Sequence, residues 1–362
     1  MKLLFVSESR SWSGGANQML LTGRELARRG HTVVFALPPD GHTSKAAREA
    51  GFTVHDLPIR QDYDVPSAMK LKAICQLEQP DVMHAHHPQA HAITLIAKYL
   101  GAQPPLAVTR RVIFPIRTNF FSAIKYRSPK IARYIGVCNA VKTELVKGGV
   151  RAEKIEVIPS AVNLDVYEAV ASSRASLQWT EPFRIGMVGH YATFKGHEVM
   201  LKAARSIFWQ FPNARILFIG RDTDKLAPMV QELGYTEQQI GLMGERRDVP
   251  ELLKHLHVFA MPSLQEGIAT ALIEAQAAGV PAVGSNVGGI PDVMVHGETG
   301  LLVPPNDPAH LAEAICYMLK NPQAAQDMAV KAKERVSRLF GILSVASRLE
   351  DFYSGLSAAK RK

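Results

Sequence analysis

Two carboxylates stand eight positions apart in the stretch PSLQEGIATALIEAQAAGVPAVGSNVGG, which runs from Pro262 to Gly289: Glu266 and Glu274. Val258–Met261 is a short apolar run and Leu264–Gly267 punctuates it. Ala269–Ala278 has helical composition and stops at Gly279, a natural left-handed terminator. The pattern predicts strand, loop and helix, with one carboxylate in the loop and the other about two turns into the helix. Ionised carboxylates only accept hydrogen bonds, so their natural partners are vicinal hydroxyls, as in ribose or a hexose. Taken alone, the pair reads equally well as two unrelated surface glutamates.

Two loops elsewhere in the chain weigh against that plainer reading. Ser11-Trp12-Ser13-Gly14-Gly15-Ala16 removes side chains where a backbone must come close to something, then presents helix N–H groups that suit an anion. It is not a GxGxxG turn, and by itself a plain tight turn fits as well. Gly189-His190, four residues, then Lys195-Gly196 repeats the arrangement ahead of a helical pattern over Glu198–Phe211. A lysine in such a loop is a mobile point charge for a phosphate. As an isolated residue it would be solvent-exposed decoration.

The elements that must position these residues alternate along the chain. Strand-like runs fall at Leu3–Ser7, Thr32–Leu37, Thr53–Leu57, Val82–Ala85, Leu106–Thr109, Ile135–Cys138 and Ile155–Ile158. Helical patterns intervene, among them Gln18–Arg29, Ser67–Gln79, Ala90–Leu100 and Ala140–Lys147. The rhythm restarts with Arg184–Val188, Arg215–Ile219, Ile240–Met243, Val258–Met261, Pro281–Gly284 and Leu301–Val303. Strands buried on both faces and separated by helices predict an α/β fold with parallel, doubly wound sheets. At 362 residues the chain exceeds one ordinary core. The expected organisation is a Rossmann-like domain over 1–165, a linker over 166–182, a second Rossmann-like domain over 183–340 and a final helix over 341–362. Ligands of such sheets sit outside the carboxyl ends of the strands. Those ends carry the glycine loops, the His84–His87 cluster, Arg110, Arg111, Lys195 and Glu266.

Composition narrows the class. Forty-seven per cent of residues are hydrophobic and no run is long enough to span a bilayer. Leu3–Val6 is strand-sized and unlike a signal peptide. Cys75, Cys138 and Cys316 are scattered, with neither metal spacing nor a disulfide framework, which suits a reducing cytoplasm. Residues 1–165 hold 22 basic and 13 acidic side chains, so the whole net charge of +9 lies there; the remainder is neutral. An anionic partner for the first half follows, either a lipid surface or a phosphorylated acceptor; no reader motif accompanies the charge, which disfavours nucleic acid. A merely solvated basic face is the plainer account.

The order of the GG loop, DVMHAHH, GHYATFKG, EGIATALIE and VGGIPDVMVHGETGLLVPPND resembles the family 4 retaining glycosyltransferases of GT-B fold, over nearly the whole chain. The resemblance implies two Rossmann-like domains facing a cleft, with the last helix crossing back to the first. It also implies transfer of a sugar from a UDP- or GDP-linked donor to a hydroxyl acceptor, with no metal or other cofactor. By position, Glu274 would bind the ribose hydroxyls, and Glu266 with the backbone of Gly267, Ile268 and Ala269 would hold the transferred sugar. Lys195, with Gly14, Gly15 and His190, would meet the diphosphate. His84, His86, Arg110 and Arg111 would lie toward the sugar and acceptor. Glu266, Lys195 and Arg111 are the candidates for catalysis. Two departures stand out. Relatives commonly carry arginine where this chain has His190, and many carry histidine near the place of Arg111. A guanidinium is no general base, but it grips phosphate or carboxylate.

Other features have plainer accounts. His84 and His86 share a strand face without a carboxylate or cysteine at ligand spacing, so cleft-lining or packed histidines fit better than a metal site. Asp222 and Asp224 read as helix caps, and Asp62 and Asp64 lie in the domain not expected to hold the donor. Arg117–Arg133 interleaves apolar residues with cations, which suits an anionic membrane and equally an ordinary amphipathic helix. The expected setting is the cytoplasm, at the inner face of the membrane, with a lipid-linked or anionic surface glycan as acceptor. A nucleotide-sugar 2-epimerase of the same fold and a non-catalytic sugar-nucleotide binder are the rivals. An NAD-dependent dehydrogenase would need the GxGxxG turn this chain lacks.

Overall fold

The computed structural model describes residues 1–11, 13–116, 120–174 and 177–360. The chain divides into two units, one formed by Met1–Ala161 with Ile342–Lys362, the other by Val162–Gly341.

The first unit is a seven-stranded sheet made of β1 (Lys2–Val6), β2 (Thr32–Leu37), β3 (Thr53–Asp56), β4 (Val82–Ala85), β5 (Leu106–Arg110), β6 (Ile131–Gly136) and β7 (Ile155–Val157). Every pairing is parallel, in the spatial order β3-β2-β1-β4-β5-β6-β7. Parallel neighbours need crossovers, supplied by α1 (Gly14–Arg28), α2 (His42–Glu49), α3 (Val65–Glu78), α4 (Pro88–Tyr99), α5 (Phe120–Arg127) and α6 (Asn139–Lys147). Leu3, Leu4, Phe5 and Val6 have no exposure, because helices cover both faces of β1.

The second unit starts with α7 (Leu164–Arg174) and builds a six-stranded sheet from β8 (Arg184–Val188), β9 (Arg215–Ile219), β10 (Ile240–Leu242), β11 (Val258–Met261), β12 (Ala282–Ser285) and β13 (Leu301–Val303). Its order is β10-β9-β8-β11-β12-β13, again all parallel. Its crossovers are α8 (His197–Gln210), α9 (Ala227–Glu232), α10 (Val249–Leu253), α11 (Thr270–Ala277) and α12 (Ile290–Val293), followed by α13 (Pro308–Lys320) and α14 (Pro322–Phe340). The last helix, α15 (Ile342–Lys360), belongs to the first unit. It lies on α1 and buries Val345, Phe352, Tyr353 and Leu356 in that unit's core.

In each sheet the chain winds outward from one strand, then restarts beside it: β1 and β4 in the first, β8 and β11 in the second. Such switch points open a crevice at the carboxyl ends of the strands. Two expectations shift. The sixth strand begins at Ile131 rather than Ile135, and Cys138 is already the N-cap of α6. The segment 166–182 is no bare linker, since α7 fills much of it. Tyr167 and Val170, three residues apart, bury one stripe of that helix.

Candidate functional site

The second unit gathers its candidate residues at the ends of β8 and β11, the two strands of its switch point. The β8–α8 loop and the β11–α11 loop are joined by backbone bonds, Leu264 N–H and Gln265 N–H both reaching the Phe194 carbonyl at 2.7 and 3.2 Å. Gly196, with φ of 78°, opens α8. A Cβ there would stand 1.9 Å from the Pro262 carbonyl oxygen, so only glycine lets the loops close. Gly288, with φ of 60°, repeats the device from the β12 side. A Cβ there would stand 1.9 Å from the Glu266 carbonyl oxygen, which also accepts the Gly289 N–H at 3.1 Å.

These approaches set Lys195 against Glu266. Lys195 Nζ donates to Glu266 Oε2 at 2.7 Å, and the Ser263 hydroxyl reaches the same oxygen at 3.4 Å. Glu266 is buried and Lys195 half-buried, so the pair is screened far less than a surface bridge. Gly267, Ile268 and Ala269 run from Glu266 into the N-terminus of α11. Its N-cap residue Ala269 brings no side-chain acceptor to that end of the helix. His190 is exposed at the mouth of the β8–α8 loop. Desolvation, then the Lys195 and Arg221 charges, lower its pKa, so it stands there as neutral imidazole rather than as a second cation. Asp222 occupies the cap position expected of it but makes no capping bond; its carboxylate pairs with Lys225 at 2.9 Å.

Glu274 keeps different company. It sits half-buried on α11, and desolvation raises its pKa to about 7, against which a hydrogen bond from the Tyr167 hydroxyl pulls down. Tyr167 lies on α7, inside the expected linker, and nothing in the local pattern there signalled a contact with the site.

The first unit gathers a second set at the ends of β1, β4 and β5. Ser13 caps α1, accepting the Ala16 N–H at 3.2 Å, while Trp12 lies outside the described residues. A Cβ on Gly15 would stand 2.6 Å from His87 Nε2 and 3.3 Å from Arg111 Cδ, so the glycine loop, the β4 end and the β5 end converge. His87 Nδ1 meets the Ser7 hydroxyl at 2.8 Å. Burial, then the Arg111 charge, lower its pKa to about 4 and keep it neutral. Arg111 reaches Ser160 Oγ at 3.4 Å and leaves its Nε without a partner. Burial lowers its pKa to about 10, still a cation at neutral pH. Glu8 holds this corner in register by accepting the N–H groups of Gln89 and Ala90 at 3.1 and 2.9 Å, which caps α4.

Of the residues expected on the acceptor side, His84 and Arg110 are bonded within the unit, while His86 is buried with both ring nitrogens unpartnered among the described residues. His84 is buried, its ring bridging Tyr353 Oη and Thr109 Oγ1, each at 2.7 Å. His86 is buried beside it, ring centroids 4.0 Å apart and 4.5 Å from Phe5. Arg110 donates to Tyr126 Oη at 2.6 Å and to the Val112 and Phe114 carbonyls, pinning the turn after β5. Residues alternate along a strand, so a cluster at a strand end splits between core and crevice. His87 and Arg111 are the members that face the glycine loop. In the cationic segment Arg117–Arg133, Arg117 lies outside the described residues. Lys125 bonds Asp62 and the Pro88 carbonyl, and Asp64 caps α3 through the Ser67 N–H. No helix among the described residues is long and apolar enough to cross a membrane.

Residues 171–335 match the family described as Glycosyl transferases group 1, and residues 12–166 match Glycosyltransferase Family 4. The chain is 24% identical to the N-acetyl-alpha-D-glucosaminyl L-malate synthase of Bacillus anthracis, covering 91% of each. It is 24% identical to the capsular polysaccharide biosynthesis glycosyltransferase CapM of Staphylococcus aureus, over 91% of this chain and 92% of that one. Among solved structures it is similar to Anabaena HepE in complex with UDP, at a TM-score of 0.84 and 20% identity, over 98% of this chain and 100% of that one. A glycosyltransferase from Rickettsia africae aligns at a TM-score of 0.86 and 19% identity, over 98% of each chain.

Proposed function

Because this chain belongs to the family 4, group 1 glycosyltransferases of GT-B fold, we propose that it moves a sugar, with retention of anomeric configuration, from a nucleotide diphosphate to a hydroxyl of an anionic acceptor. The observation that carries the reading is the Lys195–Glu266 pair at 2.7 Å, held at the switch point of the second sheet by glycines that admit no side chain. The donor binds there. Lys195 meets the diphosphate, Glu266 and the Gly267–Ala269 backbone hold the hexose, and Glu274 takes the ribose hydroxyls.

Departure of a nucleoside diphosphate builds negative charge on phosphate oxygens. A fixed ammonium and oriented N–H dipoles stabilise that charge at little reorganisation cost. His190, neutral, contributes as a hydrogen-bond donor. Lys195 therefore has two anions to serve, the Glu266 carboxylate and the arriving diphosphate, and it links the sugar-holding group to the leaving group. The acceptor proton passes to the departing phosphate oxygen, which needs no enzymic base. None of this requires a metal ion, because Lys195 supplies the cationic charge. Relatives named for UDP- and GDP-linked sugars support a donor carrying one of these two nucleotides.

The acceptor is assigned to the first unit, where Arg111 and His87 make an anion-binding corner. Relatives named for L-malate, D-inositol 3-phosphate and a diphosphoundecaprenol acceptor all act on anions. The surplus of cations in this half supports an anionic glycan or a lipid-linked saccharide, met at the cytoplasmic face of a membrane. The test is transfer of labelled sugar from UDP- and GDP-linked donors to a membrane extract, with the product anomer read by NMR. Labelled glycan with retained configuration is expected. Free sugar alone would point to the epimerase reading, and donor binding without turnover to a pure binder.

A further inference from the structure

β7 is an edge strand of the first sheet, and the chain leaves it for an irregular run that carries Ser160. A run without a strand ladder must satisfy its buried backbone groups through side chains. Gln18, on α1 about one turn after Gly14, does this from the far end of the unit's sequence. It is buried, and its amide donates to the Ala161 carbonyl at 2.7 Å while its amide oxygen accepts the Ala161 N–H at 2.6 Å. One donor and one acceptor on Ala161 match the two ends of a primary amide, which fixes the orientation of the Gln18 side chain. Ser160, the residue before Ala161, is also buried, and its hydroxyl is the group that Arg111 reaches at 3.4 Å. Arg111 in turn lies against Gly15, at the start of the helix that carries Gln18. Gln18, Ala161, Ser160, Arg111 and Gly15 thus close a ring around the acceptor corner.

We propose that Gln18 is a positioning residue for acceptor binding, holding Ser160 where its hydroxyl sets the Arg111 guanidinium beside the glycine loop. The inference rests on the assignment of Arg111 to the acceptor's anion. A guanidinium free to turn would lose rotamer freedom on binding; one set against a fixed hydroxyl has lost part of it in advance. Without the Gln18 amide, Ala161 would keep a buried N–H and C=O unpaired, and the run would shift to recover partners. Ser160 would move with it.

The experiment is transfer of labelled sugar from UDP- and GDP-linked donors to a membrane extract diluted in steps, which separates maximal rate from half-saturation. The native chain is compared with Gln18→Ala, Gln18→Glu, Arg111→Gln and the double variant Gln18→Ala with Arg111→Gln. A melting curve of each checks the fold. Gln18→Ala should raise the half-saturating amount of extract about three- to tenfold and leave maximal rate and nucleotide affinity unchanged. Added to Arg111→Gln, it should cost nothing further in half-saturation. Gln18→Glu supplies the rescue. A protonated carboxyl offers the same donor and acceptor as the amide, whereas a carboxylate only accepts. Burial raises the pKa of such a carboxyl, so half-saturation should match the native chain near pH 5.5 and exceed it severalfold by about pH 8. An equal rise in both Arg111 backgrounds, or a Gln18→Glu profile that follows the native one at every pH, overturns the positioning role. If Arg111→Gln itself leaves half-saturation intact, the acceptor assignment fails and the positioning role falls with it.

Discussion

The two strand-end sites are built on one plan from opposite materials. In the second unit a buried carboxylate and a lysine face each other, and loops approach within reach because Gly196 and Gly288 carry no side chain. In the first unit the corner is a neutral histidine, a guanidinium and a glycine-opened helix, with no acidic side chain among the described residues bonded to Arg111. A carboxylate accepts from hydroxyls; a guanidinium with spare donors accepts nothing and awaits an anion. On the proposed reading, the half with the carboxylate would read the donor's sugar and the half with the guanidinium an acceptor's charge.

The largest effect should come from Glu266→Gln, which removes the negative charge and one of the two acceptor oxygens offered to the hexose, and weakens the bond from Lys195. Turnover should fall about 10²- to 10³-fold with little change in nucleotide affinity. An equal fall in UDP or GDP binding would blur the division between sugar and phosphate. Next comes the acceptor corner. Arg111→Gln should lower kcat/KM for the acceptor about 10- to 100-fold and leave the nucleotide Kd alone. Arg110→Gln, by contrast, should lower stability by about 1–3 kcal/mol through the lost bonds to the turn after β5. If Arg110 rather than Arg111 governs acceptor KM, the split of that cluster is wrong.

A smaller effect concerns pH. The folded pKa of Glu274, about 7, lies above its ordinary value of 4.5, so the folded state binds more protons between those limits. Its contribution to stability is therefore complete below about pH 4.5 and fades as pH rises toward 7. Ribose hydroxyls favour the ionised form, so nucleotide binding near pH 6 should release protons, measurable as a buffer-dependent heat of binding. In Glu274→Gln that dependence should vanish. The smallest expected effect is none at all. EDTA should leave transfer unchanged if Lys195 carries the charge that other transferases assign to a metal; a rate restored by added Mg²⁺ or Mn²⁺ would contradict this.

Much of this was legible without coordinates. The strands were, because strands buried on both faces are near-continuous apolar runs such as Leu3–Val6 and Val258–Met261. The glutamate and lysine loops were legible because glycine punctuates close backbone approach. The division of labour within His84–Arg111 was not. Whether a strand-end side chain points to core or crevice depends on the twist and register of its neighbours, which spacing alone does not specify. Tyr167 was hidden for another reason. The residue it acts on is 107 positions away on a different helix, and Asn163–Pro182 breaks the strand-and-helix rhythm without marking its helix by a strong apolar stripe.

The account turns on Lys195 as the diphosphate's cation, and paired titrations of Lys195→Ala test it most directly. Against the native chain, affinity for UDP or GDP should drop at least about tenfold while affinity for uridine or guanosine stays the same. Equal losses for nucleotide and nucleoside, or none for either, would contradict it.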